Sequence, residues 1–252
     1  MRNRDQRARR RGRTAGAGAE LMASVAVLAY NAAINRAVPA PAYVPSNLTA
    51  AGLSVLAARR WRVPPADLGL RPDRVARGLR VGLAAAVPVA AGVAAAAVVP
   101  ATRRFLVDDE RGRAGGAGHV LYHSLVRIPL GTALAEETIF RGALLGVLLQ
   151  RHSRVRAAAV SSLLFGVCHV LPTLDTLRLN PVGDRVGDDP VRVGGAVLGS
   201  VLVTAAAGAG FAWLRFRADS VVAPAVAHAS VNCLAFLGAR LVARRAEITQ
   251  SG

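Results

Sequence analysis

Two carboxylates stand side by side deep in an apolar run, Glu136 and Glu137 within residues 130–149, in a chain with only 15 acidic residues. The other acids fall in polar stretches or, for Glu20, at the edge of a run. An ionisable group inside a bilayer costs several kcal/mol unless it is paired or hydrated, about 2.5–3.5 on insertion scales. A buried pair therefore implies a polar cavity shared with other helices. Two further runs supply matching groups: His169 follows Phe165 by four residues, and Asn232 follows His228 by four, so each pair shares one helical face. Together these groups can activate a water and stabilise the oxyanion formed when it attacks a peptide carbonyl, which is hydrolase chemistry.

The same residues could instead hold Zn²⁺ or another divalent ion, with Glu136, His169 and His228 as candidate ligands and an open position for water. A metal-independent mechanism is equally open. The chain has no H-E-x-x-H, no Gly-rich phosphate loop and no G-x-S-x-G. Glu137 precedes Arg141 by four residues in the favourable acid-then-base order, so it can spend its charge on that pair. Glu136 has no local cation and stacks with Thr132 and Phe140, which leaves its carboxylate free to meet His169 as general base. His119, His123 and His152 lack comparable partners and read as packing residues.

The elements that must carry these groups are membrane helices. Hydrophobic residues make up 53% of the chain and mean hydropathy is +0.37, although 32 residues are basic. Charge and apolar character are therefore segregated into blocks, which excludes an ordinary soluble domain and disorder. Two cysteines in apolar runs exclude a disulfide scaffold. All the basic residues are Arg, and a net charge of +17 with few aromatics and no zinc-finger, RNP or helix-turn-helix pattern argues against a nucleic-acid partner.

Apolar runs at 20–38, 43–58, 78–100, 120–150, 155–171, 193–214 and 221–243 predict an all-α polytopic bundle of about seven spans, six to eight in range. The fourth reads as one long tilted helix or as one broken near Pro129 and Gly131. Arginines collect at 2–13, 59–80 and 151–156, whereas residues 39–47 carry no charge and residues 101–118 and 172–192 mix Arg with acids. That asymmetry places the amino terminus in the cytoplasm of a multi-pass cell-membrane protein. The Arg-rich start also has the outline of a signal peptide, with Ala40 and Ala42 as an A-x-A site, but Asn31, Asn35 and Arg36 interrupt the stretch.

Measured from the proposed inner ends at ~1.5 Å per residue, Glu136 lies roughly 21 Å deep, His169 roughly 20 Å and His228 roughly 17 Å. Three helices thus bring polar groups to one level. Gly142 with Gly146, and Gly195 with Gly199, are small-xxx-small pairs expected to pack helices within the chain.

In order and spacing, Glu136-Glu137-Thr138-Ile139-Phe140-Arg141, Phe165 to His169 and His228 to Asn232 resemble the E-E-x-x-x-R, F-x-x-x-H and H-x-x-x-N motifs of the CPBP family. That is the CAAX prenyl protease and bacteriocin-processing group of intramembrane proteases. The resemblance covers roughly residues 120–236, and Asp67-Leu68-Gly69-Leu70 resembles a short family element before a span. It implies an intramembrane endopeptidase, in which Glu136 and His169 activate water while His228 and Asn232 support the oxyanion. Peptide or protein substrates at the bilayer, lipidated or of bacteriocin type, are the implied partners. The composition suggests a GC-rich bacterium. The domain reading is an Arg-rich tail at 1–19, membrane helices at 20–118, a catalytic membrane domain at 119–243 and a tail at 244–252. The alternative is a proton-coupled transporter or immunity scaffold using the same cavity.

Overall fold

The computed structural model describes residues 16–99, 115–179 and 181–251. The Arg-rich start up to residue 15 and Asp108, Asp109 and Glu110 lie outside the described residues. Seven long helices follow one another: α1 (Ala17–Arg36), α2 (Tyr43–Arg60), α3 (Val75–Val98), α4 (117–148), α5 (Arg154–Leu179), α6 (Pro190–Ala218) and α7 (Val222–Ser251). There is no strand among the described residues. Five of them, α1, α3, α5, α6 and α7, are long and apolar enough to cross a membrane. The protein is a multi-pass helical membrane protein. Of the seven predicted runs, those of α2 and α4 also form long helices, but both carry polar side chains, Asn47 in one and the Glu136–Arg141 cluster in the other.

Boundaries follow local chemistry. Ser153 caps α5 by accepting from the Arg156 N–H, and Asp189 caps α6 by accepting from the Val191 N–H at 2.9 Å, with Pro190 in the first turn. Asp219 ends α6 in the left-handed region at φ 56°. The polar stretch predicted at 172–192 is largely helical instead. α5 continues to Leu179 and a short helix spans Pro181–Val186, because Cys168 and His169 turn the chain without ending the helix.

α4 is unbroken, and the reason is its winding. Residues 123–134 and 138–144 adopt the wider π-helical turn, with an α-helical step at Ala135–Glu137 between them. Pro129 sits in the first wide segment. A proline has no N–H to give and its ring crowds the preceding turn, so a wider turn absorbs what would break an α-helix. Such segments are rare and concentrate at functional sites.

Small residues bring the other elements onto α4. A Cβ at Gly146 would meet Leu68 Cδ2 at 2.9 Å, and one at Gly142 would meet the Leu68 carbonyl at 3.3 Å. The pair at Gly142 and Gly146 therefore packs inside the chain as expected. Gly195 and Gly199 do not, since a Cβ at either meets open space. Leu68 belongs to the Asp67–Leu70 element, which forms one helical turn ending at Gly69 with φ 69°. The Arg215 guanidinium fills the cradle over Gly69 and donates to the Ala66 and Asp67 carbonyls at 3.0 and 3.1 Å.

The helices define two ends. At one, Glu20 meets His152 at 2.9 Å, and Arg71 bridges Asp73 and Asp219. At the other, Arg36 pairs with Asp175 at 3.0 Å and Arg240 donates to the Gly115 carbonyl at 2.6 Å. His119 and His123 stack near that end, 3.9 Å between centroids, with Phe236 beside them.

Candidate active site

Glu137 and Arg141 are fully buried on α4, joined by an Nη1–Oε1 contact of 3.3 Å. That is long for a charge-assisted bond. The same Oε1 accepts from His228 Nδ1 at 2.9 Å, so a residue of α7 closes on the α4 pair. The ion pair was legible in the four-residue spacing; the His228 contact was not. Glu137 Oε2, Arg141 Nε and Arg141 Nη2 have no hydrogen-bond partner among the described residues.

Arg141 is seated by aromatic faces instead. Its guanidinium carbon lies 4.2 Å from the Phe165 ring centroid, 5.6 Å from Phe140 and 5.5 Å from Phe211. Cation–π attraction is strongest where water is excluded, about 2 kcal/mol or more. Phe165 also stands edge-on to His169 and His228, at 4.7 and 5.9 Å. One ring thus touches all three polar groups.

His169 sits where α5 turns. Its Nδ1 lies 2.8 Å from the Phe165 carbonyl, so Nδ1 carries the proton and Nε2 is left as the open nitrogen. By the same logic the Nδ1–H of His228 is committed to Glu137, and its Nε2 is the outward nitrogen. Glu136 is half-buried and makes no side-chain hydrogen bond among the described residues. It lies within electrostatic reach of His228, His169, Glu137 and Arg141, and its charge also reaches Tyr30 of α1 and Cys168. Asn232 is half-buried on α7, its carboxamide equally uncommitted among the described residues. Arg141, Glu137 and His228 therefore form a locked part, whereas Glu136, Asn232 and the Nε2 of His169 are uncommitted among the described residues.

Thr132, expected to stack with Glu136, contacts Tyr43 of α2 at 3.2 Å and its own chain five residues back, at Arg127. The wide turn moves the four-residue neighbours of an α-helix apart. Tyr30 of α1 donates to Asn47 of α2, which is 1% exposed and bonds the Tyr43 carbonyl. Neither residue carried a signal in the sequence. His152 pairs with Glu20, a longer-range contact than spacing can reveal.

Glu136, His169 and His228 have the donor chemistry of a zinc set. Among the described residues, however, no three His, Cys, Asp or Glu side chains gather as a metal site requires. No step below is routed through an ion.

Fold and site together define a helical membrane protein with a buried carboxylate–imidazole centre built from three motif-bearing helices. Residues 119–234 match the family model of the type II CAAX prenyl endopeptidases, Rce1-like, a match that supports an intramembrane protease of the CPBP type. No curated relative and no solved structure matches the chain.

Proposed function

We propose that this chain is an intramembrane endopeptidase that hydrolyses peptide bonds of membrane-associated substrates, lipidated or of bacteriocin type, with a water activated by Glu136 and His169. The observation that carries the reading is the division of the centre. One carboxylate is consumed by Arg141 and His228, whereas Glu136 and the Nε2 of His169 make no hydrogen bond among the described residues.

Glu136 takes the proton of the attacking water, and His169 Nε2 accepts a hydrogen bond from the remaining O–H and fixes its orientation. The oxygen attacks the carbonyl carbon. The developing oxyanion accepts from Asn232 Nδ2–H and from Nε2–H of His228 in its charged form, whose second N–H is held by Glu137. Collapse expels the amine, which leaves with the proton stored on Glu136. Low dielectric around the centre strengthens each of these interactions relative to water.

The chain resides in the cell membrane with its amino terminus in the cytoplasm, on the arginine asymmetry described above. A quenched, lipidated peptide library offered to purified protein in detergent tests the activity. Turnover that disappears in Glu136→Gln and in His169→Ala supports the protease. A folded wild-type protein that cleaves no member of the library leaves a transporter or immunity scaffold as the reading.

A further inference from the structure

α6 carries none of the three motifs, yet it lies directly against the centre. Two of its residues, one turn apart, touch the locked part. Phe211 stacks on His228 with ring centroids 4.9 Å apart and planes 19° apart. Gly208 faces Arg141: a Cβ there would sit 2.7 Å from Arg141 Nη2, 3.2 Å from Phe165 Cδ1 and 3.3 Å from Ser162 Cα. Both are buried or packed, and neither bears a group that could react with substrate.

The centre needs such a device. The outer torsion of a histidine is broad, so one hydrogen bond from Nδ1 to Glu137 leaves the imidazole free to swing about that bond. A ring lying flat on the imidazole removes the swing and aims Nε2. Arg141, in turn, has one hydrogen bond and two unpartnered nitrogens among the described residues. Its position is set by rings and by the hollow that Gly208 leaves.

We infer that Gly208 and Phe211 of α6 are positioning residues: Gly208 seats the Arg141 guanidinium against Glu137, and Phe211 fixes the plane of His228, so that α6 aims the oxyanion-binding imidazole. This rests on the proteolytic reading given above. A misplacement of about 1 Å can cost on the order of 100-fold in rate, which is the scale at which an aiming residue acts.

The test uses the full chain in detergent or nanodiscs, with kinetics and histidine ¹⁵N NMR on the same preparations. Phe211→Leu should lower kcat on the order of 10–100-fold and leave KM within about twofold, and Phe211→Tyr, which keeps the ring, should restore most of it. Gly208→Ala should lower kcat in the same way. Gly210→Ala on the same helix, where a Cβ meets open space, should leave it unchanged. In the spectrum, the His228 Nδ1–H held by Glu137 should give a sharp, slowly exchanging signal in the wild type that broadens in Phe211→Leu. If the leucine variant does not accumulate, Phe211→Met takes its place. A kcat within twofold of wild type, or a loss confined to KM, overturns the inference. Should the wild type cleave nothing, the proteolytic reading falls, and an unaltered His228 Nδ1–H signal in the leucine variant overturns the inference while a broadened one upholds it.

Discussion

Glu136 and Glu137 differ by one position and have unlike surroundings. Glu137 is fully buried between a guanidinium and an imidazole, and Glu136 is half-buried with an uncommitted carboxylate. Glu136→Gln should keep folding and membrane accumulation yet lose about 10²–10⁴ in kcat, the range for a lost general base. Peptide cleavage on protein of wild-type melting temperature checks this. Near-normal turnover there, beside an inactive but stable Glu137→Gln, would exchange the two roles. Glu137→Gln is expected to fail differently, by leaving Arg141 charged and uncompensated in the core. Breaking a buried pair typically costs about 3–5 kcal/mol, so a fall in melting temperature should accompany its loss of turnover. No step in the proposed reaction needs a metal. Dialysis against a chelator should therefore leave turnover intact, and a loss reversed by one equivalent of Zn²⁺ would place an ion among Glu136, His169 and His228.

The helices themselves were legible because apolar runs in a membrane must satisfy their own backbone, and the run lengths fix the helix lengths. Winding was not legible. The wide turns of α4 around Pro129 and beyond Glu137 leave no mark in composition, and they shift which residues share a face with Glu136. Nor did the sequence reveal the part played by Arg215. The structure makes it a strut, 2% exposed, binding the turn that holds Leu68 against Gly142 and Gly146. Gly69 is the weak point of that joint. Gly69→Ala must adopt a left-handed backbone and also displace Arg215, since its Cβ would lie 2.2 Å from Nε. Gly187→Ala meets only the first of these costs, having φ 66° and open space around it. Thermal unfolding should therefore show Gly69→Ala as the more destabilised of the two. The backbone cost alone is about 1–3 kcal/mol. Equal shifts would mean that Arg215 does not depend on the cradle.

At the scale of the molecule, the side-chain contacts sort the chain into two ends without reference to a bilayer. Glu20 with His152 and Arg71 with Asp219 belong to one, and Arg36 with Asp175 and Arg240 with Gly115 to the other. The first end holds the arginine-rich stretches 59–80 and 151–156. At the second end, Arg240 is 7% exposed and bonded to a backbone carbonyl. The tendency of short cytoplasmic loops to collect arginine supports the proposed orientation, with the first end inside. Two exposed positions probe the ends reciprocally: Val155, 81% exposed in the first turn of α5, and Val191, 82% exposed in the first turn of α6. In a background with Cys168 and Cys233 replaced, Val191→Cys in intact cells should react with an impermeant maleimide, and Val155→Cys should react only after the membrane is opened. The reverse pattern would invert the protein, and the depth of the Glu137–His228 centre would be measured from the opposite face. Labelling of both from outside would mean that α5 does not cross the bilayer, and the shared level of Glu136, His169 and His228 would then need another explanation than three parallel spans.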